Sequence, residues 1–243
     1  MSHVGNSKGF TIVELMLAMA FISVLMVAIA MTVIQIMNAY NKGMTLRSVD
    51  QAGRSVSQDI RYTLASSQIL DVGAAGEGGV DFVPQIQLGG VINNPDGGRL
   101  CTGSYSYIWN TGKGLSNPIN RFATGDDVIR LVKIRDNSKA YCNVVLTPQV
   151  QREGASELLG SEDRQLAVQS FKIITAAADP IMQQALYKVT LELGTSDENA
   201  LNRDATVATI DTNCKPPSDD ASQRDYCAVS KFEFSARTGN RGN

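Results

Sequence analysis

The stretch Phe10-Thr-Ile-Val-Glu14-Leu-Met-Leu-Ala-Met-Ala-Phe-Ile-Ser-Val-Leu-Met-Val-Ala-Ile-Ala-Met-Thr-Val-Ile-Gln-Ile-Met37 decides how this chain is organised. It contains neither proline nor glycine, and its Leu, Met and Ala favour helix. At a rise of about 1.5 Å per residue, such a helix is about 40 Å long, enough to cross a hydrocarbon core of about 30 Å. Glu14 is its only ionisable side chain. A carboxylate inside a membrane helix is costly, and it marks a functional position by default. Just upstream, Ser7-Lys8-Gly9 is a small basic patch. Lys8 and the amino terminus favour a cytoplasmic near end, and Lys42 and Arg47 beyond the helix weaken that asymmetry.

On residues alone, several readings of this run compete. A plain single-pass anchor comes first. A cleaved secretory signal comes second: Ala28-Ile29-Ala30 fits its small-residue cleavage site. The apolar core of such a signal is only about 7–15 residues, however, and this run continues to Met37. A buried helix in a soluble core is disfavoured by the length and unbroken apolarity of the segment.

Beyond Asn38 the helical pattern continues with a different surface. Leu46, Val49, Gly53, Val56, Ile60 and Leu64 recur at steps of three and four, forming one apolar stripe. Asp50 and Arg54 make a favourable i, i+4 pair on another face. One helix from Phe10 to about Leu70 would approach about 90 Å in length, half anchor and half spine. The stripe is too short for sustained heptads, which leaves a surface coiled coil as the lesser alternative. The cluster Gly73-Ala-Ala-Gly-Glu-Gly-Gly79 is expected to end the helix as a loop. It lacks the Gly-Lys-Ser/Thr ending of a phosphate loop.

The period then changes to that of strands. Val80–Leu88 partly alternates, and Tyr105–Trp109 is short and aromatic. Val128–Ile134 and Ala140–Leu146 flank the turn-like Arg135-Asp-Asn-Ser-Lys139, a hairpin pattern. Further strands are expected at Leu166–Ile174, Ala185–Leu193 and Tyr226–Phe234, with connectors such as Asn93-Asn-Pro-Asp-Gly-Gly98 between them. The expected fold class is α+β: a long N-terminal helix packed on a mainly antiparallel β head.

Composition excludes several classes of function. Of 243 residues 43% are hydrophobic and 19% charged, which fits a folded chain, and a net charge of −2 gives no sign of a nucleic-acid partner. His3 is the only histidine, and none of the four cysteines lies in a CxxC pair, so zinc-ligand spacing is absent. Asp126-Asp127 and Asp219-Asp220 lack EF-hand spacing and read as exposed loop acids. No nucleophile-elbow, Ser-x-x-Lys or Walker pattern occurs, so neither an enzyme activity nor a cofactor or metal is expected. Cys101, Cys142, Cys214 and Cys227 are an even set in a chain expected to cross a membrane, which reads as disulfides. Of the possible pairings, Cys101 with Cys142 and Cys214 with Cys227 close the more modest loops, and connectivity stays open at this point. Buried free thiols are the alternative.

Lys8-Gly9-Phe10-Thr11-Ile12-Val13-Glu14-Leu15 resembles the prepilin signature of the type IV pilin-like proteins: a basic leader ending in Gly, then Phe-Thr-hydrophobic-hydrophobic-Glu and an apolar helix. The resemblance implies that a prepilin peptidase cuts between Gly9 and Phe10 and that Phe10 is then N-methylated. It also implies that Glu14 neutralises the Phe10 amine of a neighbouring subunit during filament assembly. Its implied domains are residues 1–9 as leader, 10–37 as transmembrane and assembly helix, 38–72 as spine and 73–243 as β head. Implied partners are the peptidase, other pilins or pseudopilins, the assembly platform and membrane lipid. The head would be extracytoplasmic and later part of an extracellular filament. Arg54-Ser-Val-Ser-Gln-Asp-Ile-Arg61, the late strands and the ending Phe232–Arg241 are similar to larger minor pilins and J-type pseudopilins. Many members carry a glycine or proline within the helix, and this run has none. In pilins a loop comparable to Cys214–Cys227 often makes surface contacts, which implies adhesion or a plain staple here.

Overall fold

A computed structural model describes residues 9–74, 78–84, 97–112, 114–125, 127–142, 149–159, 166–197, 200, 214 and 226–239. The leader before Gly9, Gln85–Leu88, Asn93–Asp96, Asp126, Asn143–Leu146, Asp219-Asp220 and Arg241 lie outside them. The chain divides into two units, Met1–Asn41 and Lys42–Asn243.

The described part of the first unit is helical from Ile12 onward, within α1 (Ile12–Ala65). Every side chain from Phe10 to Tyr40 is exposed. A helix apolar on all sides, with nothing packed on it, is a helix for lipid or for a helical bundle. Its hydroxyls fit such a medium: Ser23 Oγ donates to Met19 O at 2.8 Å and Thr32 Oγ1 to Ala28 O at 2.9 Å. Each is therefore satisfied within the helix, as a span in hydrocarbon requires.

In the second unit the remainder of α1 meets two antiparallel sheets. One has the order β1 (Phe82–Val83), β2 (Gly97–Cys101), β3 (Tyr105–Asn110), β4 (Leu131–Arg135), β5 (Ala155–Glu157). The other is β6 (Leu166–Asp179), β7 (Gln184–Thr195), β8 (Val229–Arg237). The fold is therefore α+β. A parallel bridge between Thr111 and Val168, with Gly112 N donating to Val168 O at 2.9 Å, links the sheets.

Val49, Gly53, Val56, Ile60 and Leu64 are buried on α1, as the stripe requires. Leu46 is not, and Thr45 takes its place inside. Gly53 is there for close approach: a Cβ would lie 2.1 Å from the Phe232 ring of β8. Further along, Arg61 stacks its guanidinium 5.1 Å from the Phe234 centroid. Between the sheets and the helix sits an aromatic trio. Trp109 lies 4.8 Å from Phe171 and 6.2 Å from Phe82, centroid to centroid. Gly98 of β2 makes room for it, since a Cβ there would lie 2.2 Å from the indole.

Several expectations need correction. The spine ends at Ala65 and not near residue 72, because Ser66 and Ser67 turn their hydroxyls onto the carbonyls of Thr63 and Leu64. These side chains offer the last carbonyls an alternative to helix. Of the expected hairpin between β4 and Ala140–Leu146, only Ala140–Cys142 of the second arm is described, and it is not strand. Both edges of β4 are taken, by β3 and by β5, and Ala140–Cys142 lies in a turn. Gly97-Gly98, expected as connector, opens β2. β6 and β7 are longer than expected, reaching Asp179 and Thr195, and β8 keeps the expected length but is shifted three residues on, to Val229–Arg237.

Candidate functional site

The first turn of α1 gathers the residues that carry chemistry in the first unit. Gly9, Phe10 and Thr11 precede the helix, and Phe10 is 86% exposed. The Gly9–Phe10 bond thus lies on non-helical, accessible backbone. Thr11 is the residue whose importance the sequence analysis missed. Its backbone N and its Oγ1 each donate to Glu14 Oε2 at 2.9 Å, and its Oγ1 accepts from Glu14 N at 3.3 Å. This is a reciprocal capping box, and Thr-x-x-Glu before an apolar run is its sequence signal. Glu14 therefore has two roles open to it. Oε2 caps its own helix, and Oε1 accepts no hydrogen bond among the described residues.

The second polar cluster fastens α1 to the first sheet. Asp59 Oδ1 accepts from Lys133 Nζ at 2.7 Å, and Oδ2 from the Tyr107 hydroxyl at 2.7 Å. Thr63 Oγ1 lies 2.7 Å from the Tyr107 hydroxyl and accepts from Lys133 Nζ at 3.2 Å. Lys133 also sits 4.5 Å from the Tyr105 ring centroid. Burial pushes the Tyr107 phenol well above its ordinary range, so it stays a neutral donor. With each group already partnered, the cluster is a fastening between helix and sheet.

The structure joins Cys101 to Cys142 and Cys214 to Cys227. Chain-entropy reasoning assigns such loops about 3–4 kcal/mol each. The first bridge ties down a turn organised by Asp136. That carboxylate accepts from Ser106 Oγ at 2.7 Å, Ala140 N at 2.9 Å and Tyr141 N at 3.2 Å. Burial pushes its pKa up, but these bonds together with one from Ser138 outweigh it and hold the group below its ordinary value. Lys139 from the same turn reaches Asp81 Oδ1 at 2.6 Å. Among the described residues no group of acidic, cysteine or histidine side chains is placed to hold a metal ion.

One helix among the described residues, α1, is long and apolar enough to cross a membrane. With the disulfides of the head, this fits a single-pass membrane protein whose head lies outside the reducing compartment. No protein-family model matches the chain, and no curated protein or solved structure matches it either.

Proposed function

We propose that the chain is a structural subunit of a type IV pilus-like or type II secretion-like filament, a minor pilin or pseudopilin. In this reading prepilin peptidase cuts at Gly9–Phe10, Phe10 is N-methylated, and the apolar helices bundle. Partners are other pilin-like chains and the assembly platform. The observation that carries the reading is a lone carboxylate one turn into a wholly uncovered apolar helix, directly after an accessible Gly–Phe bond. Cleavage there creates an ammonium on Phe10. In a low-dielectric bundle an unpaired ammonium and an unpaired carboxylate are each expensive, and pairing them offsets much of the cost. The open Oε1 of Glu14 is available to a neighbour's amine while Oε2 stays with Thr11.

A second reading has its own support. The capping box satisfies Glu14 locally, so a plain single-pass anchor with a ligand-binding β head also accounts for the acid. A substitution at Gly9 separates the two. A Cβ on Gly9 meets nothing within 4 Å, so Gly9→Leu leaves the chain's own packing untouched. The filament reading expects this variant to keep its leader and accumulate in the membrane, seen as a heavier band beside the wild type. Identical mobility and N-terminal sequence for variant and wild type would favour the plain anchor.

A further inference from the structure

The two sulfurs of the Cys101–Cys142 bridge stand in unlike surroundings. Cys101, on β2, is 0% exposed, whereas Cys142 is half-buried in the turn that follows β4. Ser106 Oγ lies 3.1 Å from Cys101 Sγ and donates to Asp136 Oδ2 at 2.7 Å, so the buried sulfur faces an anion across one hydroxyl. Beside Cys142 the charge is opposite. Arg99 Nη1 donates to Tyr141 O, the carbonyl of the peptide bond that enters Cys142. That side chain is 3% exposed, its Nε donates to nothing, and no described carboxylate pairs with it. Burial lowers its pKa, yet a guanidinium keeps its charge in a protein. A buried cation without an anion is costly, and a thiolate on Cys142 would supply one.

The other charges of the turn are already engaged. Lys139 reaches Asp81 Oδ1 at 2.6 Å, and Asp136 accepts from Ser106, Ala140 and Tyr141. These contacts do not need the bridge. Asp136 N also donates to Ser104 O at 3.0 Å, and Cys142 N to Lys139 O at 3.0 Å. Noncovalent bonds therefore set the turn against β2 and bring the sulfurs together before they are joined.

We propose that Cys142 is the exchanging sulfur of this pair, the one at which a disulfide-bearing oxidant or a thiol reductant enters, with Arg99 as its positioning cation and Cys101 as the buried resolving sulfur. In the forming direction the Cys142 thiolate attacks one sulfur of the oxidant's disulfide, and the oxidant's other sulfur leaves as a thiolate. Cys101 then attacks Cys142 Sγ and expels the sulfur attached there. The protons of Cys142 and Cys101 end on the oxidant, which is reduced to two thiols. Exchange follows thiolate fraction and access. Both favour Cys142, since Cys101 combines full burial with a neighbouring carboxylate. The inference does not depend on leader cleavage or filament assembly.

The test uses the full-length chain in detergent, with peptide mapping to separate this pair from Cys214 and Cys227. Cys101→Ser, mixed with glutathione disulfide, is expected to take up glutathione on Cys142 at least about ten times faster than Cys142→Ser does on Cys101. In the Cys101→Ser background, Arg99→Met should slow the reaction about tenfold, and Arg99→Lys should restore most of it, which a packing role alone would not do. In native cells Cys101→Ser should collect a mixed disulfide at Cys142. A protein adduct there identifies an oxidoreductase as the source, and a glutathione adduct the small-molecule pool. The wild-type chain gives a check free of substitutions: brief treatment with reduced glutathione and an acid quench should leave the adduct on Cys142. An adduct on Cys101, no adduct on Cys142, equal rates for the two serine variants, or an Arg99→Met rate matching its parent would each overturn the proposal.

Discussion

Replacing Glu14 with alanine is expected to leave leader removal intact while reducing the protein in sheared filaments by more than about a hundredfold. The size follows from leaving a buried ammonium without its partner, which costs about 3–5 kcal/mol, where each 1.4 kcal/mol is about a factor of ten. The capping box complicates the alanine result, because Thr11 also loses its acceptor, at a helix cost of about 1 kcal/mol. Glu14→Gln separates these effects. It keeps an oxygen for Thr11 and removes only the charge. The filament account expects Glu14→Gln to fail nearly as badly as Glu14→Ala in quantitative immunoblots of the sheared fraction. Wild-type incorporation of the glutamine variant would sink the charge-pairing role and leave capping as the whole function of the acid.

The largest stability effect in the head is expected at Trp109. It is the only tryptophan in the chain, is 1% exposed, and packs on Phe171, Phe82 and the bare backbone of Gly98. Trp109→Ala should cost about 3–5 kcal/mol, since the sheets around it can collapse only partly into the space. Urea unfolding of the detergent-solubilised protein, followed by far-ultraviolet circular dichroism, measures this directly. A loss below about 1 kcal/mol would contradict the packing described here, because truncating a buried aromatic ring normally costs several times that.

The parts of the fold that were legible in the sequence are those where one physical pattern acts alone. The apolar run of Phe10–Met37 has no competing reading of its local structure, and α1 covers it from Ile12. The stripe from Val49 to Leu64 follows helical spacing because one face packs on the sheets. The errors fall where a local signal and a tertiary contact disagree. Gly97-Gly98 resembles a turn, yet it is strand because Trp109 needs the missing side chains. Arg135–Lys139 resembles a hairpin turn, yet Asp136 and the Cys101–Cys142 bridge draw the chain back toward β2 and free β4 to pair with β5. Leu46 has the right spacing for the core and the wrong neighbours, since Thr45 occupies the buried position.

The candidate site divides in the same way. Glu14 stands out because an isolated acid in an apolar run is costly wherever it lies. Thr11 was hidden within the prepilin-like motif, although Thr-x-x-Glu carries its own physical meaning as a cap.

Intact-mass spectrometry of the protein purified from its native membrane bears most directly on the filament account. The account predicts a chain that begins at Phe10, lacks residues 1–9 and carries one additional methyl group on the new amine. A chain that retains its leader, or one trimmed after Ala30, would contradict it.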